Sequence, residues 1–561
     1  MIGLVAATEN GRRRARRLSR LWPGARLYEG GLREAVRRAW GECEGLVLFM
    51  ASGAAVRLVA PLLGDKRRDP GVVCVDDAGR YAVSLCGGHG GGANALARRV
   101  AGALGAEPVI TTASDALGLP ALDSFGEHLG FRVEEGSDLA AVGAALVGGR
   151  TVRLVSDVRW PLGPLPENVV CSEEMEPPLI FISDRLSEVP RPAAVYRPPS
   201  LVAGVGCSRG AGAGEILELL RAALRDGGLS EASLCSMASV EAKRGEEGLL
   251  GAAEELGVPV RFFPAGELAR QPAPNPSRAV ERAVGTPSVA EAAVLACGAA
   301  LLVEKRRSKN ATVAVGRLPV RGRLYIVGLG PGEEALVPPL AREALSRAGL
   351  VVGLKSYVER IRHLLRPGTR ILTPPLGEEA ERARIALEEA RAGGSAALVS
   401  GGDAGIYGMA SPALELAGEE VEVEVVPGIT AAQAAAALLG APLGHDHCAI
   451  SLSDLLTPWE VIERRLRAAA EGDFVVSLYN PRSRGRTWQL EKARRILLER
   501  RPPETPVGVV RNAFREGQRV ALTSLGSLRT GEADMNTIVV VGSSRTRVRA
   551  GRMVTPRGYA G

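Results

Sequence analysis

Three glycine-rich turns, each set directly after an apolar run, constrain the C-terminal two-fifths of this chain more than any other feature. The central one, Leu398-Val-Ser-Gly-Gly-Asp-Ala-Gly-Ile-Tyr-Gly408, leaves the end of a buried strand and passes into glycines that let backbone amides approach a ligand closely. Upstream, Val327-Gly-Leu-Gly-Pro-Gly332 follows the apolar strand Leu324–Val327, and downstream Val425-Val-Pro-Gly-Ile-Thr-Ala431 repeats the device. A mobile glycine loop would need no strand before it. Repetition at strand ends predicts a crevice at the carboxyl edge of an α/β sheet, where such folds bind ligands.

Common nucleotide fingerprints do not fit this crevice. Gly328-x-Gly330 lacks the third glycine, because Glu333 stands there, and Val351-Val-Gly-Leu-Lys355 offers no acidic residue at the end of the second strand. There is no Gly-Lys-Ser/Thr, which excludes a P-loop. Between the turns, residues 377–394 read as an amphipathic helix with Ala383, Ala386, Leu387 and Ala390 on one face.

At 561 residues the chain is too long for one core, and several domains are expected. A net charge of +7 could serve nucleic acid, a membrane surface or an acidic small molecule. Apart from Arg12–Arg17 the arginines are dispersed and no basic stripe is interleaved with aromatics, which favours the acidic small molecule. Eight cysteines without a Cys-x-x-Cys pair read as small buried hydrophobes in a reducing compartment. The uncharged run 425–444 contains Pro427 and Pro442 and reads as a packed helix between turns, not a membrane span. A cytoplasmic protein is expected.

The N-terminal half repeats the strand–turn–helix theme. Met1–Ala7 is an apolar strand, Gly45–Met50 a second, and Ala51-Ser-Gly-Ala-Ala-Val-Arg57 turns from it into a helix. After the polar loop Gly64-Asp-Lys-Arg-Arg-Asp-Pro70 come the strands Val72–Val75 and Tyr81–Leu85, then Cys86-Gly-Gly-His-Gly-Gly-Gly-Ala-Asn94 and a helix. Free amides at such a helix start suit a carboxylate. Val109-Ile-Thr-Thr-Ala-Ser-Asp115 offers another such place. Residues 134–197 are less patterned and end in Pro190-Arg-Pro and Arg197-Pro-Pro, which read as a linker. A further α/β unit carries Gly204-Val-Gly-Cys-Ser-Arg-Gly210, Ser239-Val-Glu-Ala-Lys243 and Gly285-Thr-Pro-Ser-Val-Ala-Glu291, and 318–323 is a short joint.

Taken as a set, Gly-Leu-Gly-Pro-Gly, Gly-Gly-Asp-Ala-Gly-Ile-Tyr-Gly and Val-Pro-Gly-Ile-Thr-Ala resemble the tetrapyrrole (class III) S-adenosylmethionine-dependent methyltransferases. Gly444-His-Asp-His-Cys-Ala-Ile-Ser-Leu-Ser-Asp454, Ser477-Leu-Tyr-Asn-Pro481, Asp534-Met-Asn-Thr-Ile538 and Thr555-Pro-Arg-Gly-Tyr559 are similar to the precorrin-3B carbon-17 methyltransferases of cobalamin synthesis. His447 departs from the aromatic expected there, and Leu354 stands where uroporphyrinogen methyltransferases have Asp. The resemblance implies several α/β domains in tandem. The last of them, 323–561, would be a two-domain methyltransferase (323–436 and 437–561) with the cofactor trough between its domains. Pro331, Gly401, Gly402, Asp403, Ile406, Thr430, Ala431, Tyr479, Asn480 and Ala513 would line the trough for S-adenosylmethionine. The implied reaction also contracts the ring, for which Lys355, His445 and Asp446 are candidate proton donors, with a structural or carboxylate-binding role equally open for His445. No third ligand accompanies the His-x-His pair, so no protein-bound metal is expected; cobalt belongs to the substrate.

The Met-Ala-Ser-Gly, Gly-Asp-Lys and Gly-Gly-His-Gly-Gly-Gly-Ala-Asn elements resemble the N-terminal part of cobalt-precorrin-5A hydrolases, and 198–318 their C-terminal domain. Glu241 stands where that family shows Asp. The implied boundaries are 1–133, a middle region and linker 134–197, and 198–318. The implied reaction opens a lactone and releases acetaldehyde. His89 is the candidate base, with Lys66 and Asp65 next, while a capping role for His89 is the competing reading. Lys243 and Lys305 could pair with substrate carboxylates. The partners expected are cobalt-precorrin intermediates and a second copy through the methyltransferase half, with neither nucleic acid nor membrane. The alternative is a non-catalytic corrinoid-binding N-terminal module. A class III methyltransferase of RNA or protein is disfavoured by the Thr-Pro-Arg-Gly-Tyr terminus and the hydrolase-like neighbour.

Overall fold

The computed structural model describes residues 1–65, 68–88, 91–112, 119 and 121–558. The chain divides into two compact units, one of residues 1–158 and 165–320, the other of 159–164 and 321–561.

The first unit holds three sheets. In the N-terminal one, six strands run in the order Ala25–Leu27, Ile2–Ala6, Gly45–Phe49, Gly71–Val75, Tyr81–Cys86, Glu107–Val109. The first four are parallel, and Ile2–Ala6, Gly45–Phe49 and Gly71–Val75 are buried on both faces and read as continuous apolar runs, while the edge strand Ala25–Leu27 exposes Arg26. Ala15, Leu18, Leu96 and Val100 cover one face, and Val36, Ala39, Ala55 and Val59 the other. Residues 76–80 are too short for a crossover, so Tyr81–Cys86 returns antiparallel to Gly71–Val75. That reversal carries the turn after Cys86 to the same sheet edge as the loop before Gly71. A side chain at Gly71 would lie 2.1 Å from the carbonyl oxygen of Gly91, so the two loops pack at backbone distance.

Residues 134–197, expected as a middle region and linker, carry strands, with Arg132–Val133 beside them. They form a five-stranded sheet ordered Arg132–Val133, Ala193–Arg197, Leu179–Ile182, Val152–Ser156, Val169–Cys171. Pro178 and Pro192 stand just before strands, where the lost amide costs no ladder bond. The third sheet is ordered Val260–Phe263, Leu234–Val240, Leu201–Cys207, Ala311–Arg317, Ala300–Arg307. Beside it the fully buried carboxylate of Glu291 accepts from the amides of Asn275 (3.0 Å) and Lys305 (3.0 Å) and from the Asn275 side chain (2.7 Å). This fastens the proline-rich loop around Pro272–Pro276. Glu291→Ala should leave those donors without an acceptor and lower stability by about 3 kcal/mol. Urea unfolding of the full chain, with the first unit's transition followed separately, checks this; a loss under about 1 kcal/mol would show the loop is held otherwise.

In the second unit a parallel sheet is ordered Arg370–Leu372, Leu350–Gly353, Ser395–Ser400, Gly322–Gly328, Val421–Val426. The last three strands are neighbours, and each is followed by one of the glycine turns, so all three turns share one stretch of carboxyl edge. A second, mixed sheet is ordered His447–Ser451, Val475–Tyr479, Thr537–Val541, Pro506–Arg511, Arg519–Ser524. Residues 425–444 supply a strand end and the helix Ala431–Leu439, and no helix among the described residues is long and apolar enough to cross a membrane.

Candidate active-site cleft

The three turns of the second unit are braided together by their glycines. The amide of Gly330 donates to the carbonyl of Gly402 (3.0 Å), and the amide of Gly402 donates back to Gly330 (2.7 Å). Both residues are left-handed, with φ of +76° and +75°. A Cβ on Gly428 would meet the Gly402 oxygen at 2.1 Å, and one on Gly328 would meet the Gly428 nitrogen at 2.7 Å. The Asp403 carboxylate completes the braid, accepting from the amides of Gly405 (2.8 Å) and Gly428 (2.9 Å). At 328 and 428, therefore, glycine is required first for turn-to-turn packing; approach to a ligand is not what excludes a side chain there.

Two tyrosines cross from one sheet of this unit to the other. Tyr479, ending a strand of the mixed sheet, shares a 2.5 Å hydrogen bond with the Thr430 hydroxyl and accepts from the amide of Ala432 (3.0 Å). Its hydroxyl thereby caps the helix Ala431–Leu439, whose own Thr430 side chain makes no cap bond. In the opposite direction Tyr407 donates to the carbonyl of Ala449 (3.0 Å) and accepts from the amide of Ser451 (3.2 Å). The two rings lie 5.0 Å apart at 57°. Burial pushes both phenols above their ordinary value, so they remain neutral donors. Tyr407, Asn480 and Asn512 all hold φ near +50°, a costly conformation for residues other than glycine that gathers at functional sites. The Asn480 amide donates to Ser451 Oγ (3.0 Å), which fixes its orientation.

These elements enclose a cleft of about 180 Å³. Pro331, Gly401, Gly402, Asp403, Ile406, Thr430, Ala431, Tyr479, Asn480 and Ala513 all line it. Sequence reasoning did not single out Tyr357, Tyr407, Asn512 or Arg515, nor the individual residues of Met535–Ile538, which line it too. Tyr407 lies within the quoted glycine motif and 535–538 within another, so the motifs themselves were the available signal. Tyr357 and Arg515 carry none.

Lys355, His445 and Asp446 are not among the lining residues. The Lys355 side chain is 78% exposed, with its ammonium 3.8 Å from Glu359. His445 Nδ1 accepts from the amide of Asp446 (2.7 Å) and lies 3.1 Å from its carboxylate. Among the described residues no three His, Cys, Asp or Glu side chains are grouped to hold a metal ion.

In the first unit, Lys66 and His89 lie outside the described residues. Their neighbours converge. Asn94, buried at the helix start, accepts from Ser84 Oγ (2.7 Å) and donates to Thr112 Oγ1 (3.1 Å). A Cβ on Gly88 would press on the Thr112 methyl at 2.9 Å. Asp65 is exposed in the neighbouring loop, where its carbonyl accepts from the amides of Arg68 and Asp69. The Met50-Ala-Ser-Gly53 turn follows a strand parallel to Gly71–Val75 and so lies at the opposite edge of the sheet. It does not join the other two elements. Lys243 pairs with Glu246 (3.0 Å), and Lys305 donates to the carbonyl of Asn275, so both have acceptors within the chain. Glu241 is half exposed beside Arg244.

Residues 323–529 match the family profile described as tetrapyrrole (corrin/porphyrin) methylases. Three further profiles match in order: cobalamin synthesis G N-terminal (34–115), cobalamin biosynthesis central region (120–198) and cobalamin synthesis G C-terminus (201–316). A probable cobalt-factor III C(17)-methyltransferase of Salmonella typhimurium is 49% identical over 242 residues, spanning 42% of this chain and 99% of that protein. A cobalt-factor III methyltransferase of Priestia megaterium is 47% identical over 247 residues, 43% of this chain. The chain spans 46% of that relative's length, about half of it. The crystal structure of the methyltransferase CobJ is 42% identical, with a TM-score of 0.40, over 42% of this chain and all of that one.

Proposed function

The chain belongs to the tetrapyrrole (corrin/porphyrin) methylases, joined to cobalamin synthesis G regions, and on that premise we propose that it is a bifunctional enzyme of corrin-ring synthesis. The second unit methylates carbon 17 of a cobalt-factor III type macrocycle with ring contraction, using S-adenosylmethionine. The first opens the lactone of a later cobalt intermediate and releases acetaldehyde. The observation that carries the first activity is that the residues lining the cleft come from three adjacent strand-end turns and the facing sheet.

The residues present suit such a cosubstrate. Turns rich in glycine expose backbone carbonyls and amides for the amino-acid end, while Ile406, Ala431, Val510 and Ala513 offer small apolar surface for a nucleoside. The sulfonium supplies the methyl group; the chain's part is alignment. Effective molarities of about 10⁵–10⁸ M are available from positioning alone, which suits a site built of backbone and fixed phenols. Each Asp403 oxygen accepts one amide, so the carboxylate ties two turns together while it lines the cleft.

A cytoplasmic location and a homodimer through the second unit belong to the same proposal. Incubation of the full chain with isotopically labelled S-adenosylmethionine and cobalt-factor III should transfer one methyl group to the macrocycle. The lactone-bearing cobalt-precorrin should yield acetaldehyde from the same preparation. Methyl transfer without acetaldehyde would favour the reading of the first unit as a corrinoid-binding module; no methyl transfer would overturn the proposal.

A further inference from the structure

Buried arginines in the second unit spend their terminal nitrogens on protein acceptors. Arg501 donates to the carbonyls of Gly542, Ala469 and Phe474, and Arg382 to Pro375 and Glu379. Arg515 differs. Its Nε donates to the carbonyl of Pro331, but neither terminal nitrogen has a hydrogen-bond or ion-pair partner among the described residues. Its stem lies across Gly332, where a Cβ would meet the Arg515 side chain at 2.7 Å, so the last glycine of the first turn is shaped to admit it.

A second guanidinium stands beside it. Arg360 lies over the Tyr357 ring, 5.9 Å from its centroid, and also has no carboxylate within ion-pair distance among the described residues. Tyr357 and Gly332 border both arginines. Of the nearby acidic groups, Glu334 pairs with Arg342 and His363, Glu359 with Lys355, and Asp403 accepts amides, while the exposed Glu333 and Glu516 make no ion pair with either arginine among the described residues. Burial, and after it the positive charge of Arg360, hold the Arg515 guanidinium below its ordinary value. Arg515, half-buried at the side of the ligand cleft, and the exposed Arg360 have no carboxylate partner among the described residues, which leaves both guanidiniums open to an anion.

We propose that Arg515 and Arg360 form a clamp for a ligand carboxylate at the Tyr357 side of the cleft. The inference rests on the S-adenosylmethionine reading of that cleft. The carboxylate has two sources, the amino-acid end of the cosubstrate or an acid arm of the macrocycle, and both meet the same planar donors.

Arg515→Gln, Arg360→Gln and the charge-keeping Arg515→Lys, each in the full chain, test it by calorimetry and steady-state kinetics. S-adenosylhomocysteine carries the carboxylate, and 5′-methylthioadenosine is the same nucleoside without it. If the cosubstrate fills the clamp, the glutamine variants should lose about tenfold or more in affinity for the first and keep the second, with lysine restoring part. If the macrocycle fills it, both nucleosides should bind as before while KM for cobalt-factor III rises about tenfold with little change in kcat. Unchanged behaviour in all three measurements would overturn the clamp. So would equal loss for both nucleosides in Arg360→Gln, since that would mean a deformed cleft. A wild-type protein that binds neither nucleoside would overturn the S-adenosylmethionine reading, and the clamp with it.

Discussion

Gly428→Ala should abolish measurable S-adenosylmethionine binding, lowering affinity by about a hundredfold or more, while Gly402→Ala should lower it by no more than about tenfold. At 428 the added carbon would lie 2.1 Å from the Gly402 oxygen and 2.8 Å from the Gly328 oxygen, so two backbones must part by about an ångström. Misplacements of that size at a site that works by alignment are worth about 10²-fold. At 402 the nearest atom to an added carbon is 3.8 Å away, and the cost is mainly that of a left-handed alanine, about 1–2 kcal/mol. Calorimetric titration of the folded variants ranks them. The reverse order would mean that the glycine at 402 faces the ligand directly and that the braid is incidental.

His89→Ala should cut acetaldehyde release by about 10²-fold or more and leave methyl transfer untouched. The glycines around it follow a half-buried strand and precede a helix start in the sequence, and their described neighbours bring the loops of Asp65, Gly88 and Thr112 to one sheet edge. An imidazole is neutral near pH 7 and can take a proton from water. A capping histidine would cost stability instead, about 1 kcal/mol, and little rate. Acetaldehyde yield from the folded variant with the lactone-bearing substrate decides between these. Near wild-type yield would pass the role to water, Lys66 or Asp65.

How much of this was legible in the sequence depended on how local the signal was. The turns at 328–332, 401–408 and 427–431 follow apolar runs that can only be strands, and turn chemistry is a property of a few consecutive residues. Residues inside those turns therefore fell around one cleft. Tyr357 reaches Gly401 because its helix follows the strand that pairs with Ser395–Ser400, and Arg515, in a loop after a strand of the mixed sheet, reaches Pro331 only through the packing of that sheet on the parallel one; neither pairing is encoded in a short window. Within the middle region 134–197, the linker reading rests on prolines as punctuation, which says nothing of the strands beside them. Leu179–Ile182 and Ala193–Arg197 are fully buried strands that start next to them. The placement of the Met50-Ala-Ser-Gly53 turn away from the Gly87–Gly92 region was available in principle: a connection as short as 76–80 makes a hairpin, and a hairpin exchanges sheet edges.

The crossed tyrosines also set a timetable. Parting the two sheets at the cleft breaks the Tyr407 and Tyr479 hydroxyl bonds and separates their rings, together about 2–5 kcal/mol. The open form, which also gives up the Arg515–Pro331 bond, would then make up at most roughly 3% of the molecules at any instant. A ligand too large to enter otherwise must wait for that minority, and its apparent affinity falls by the same fraction. Two phenol hydroxyls thus govern how often the cleft admits a ligand as well as what shape it presents.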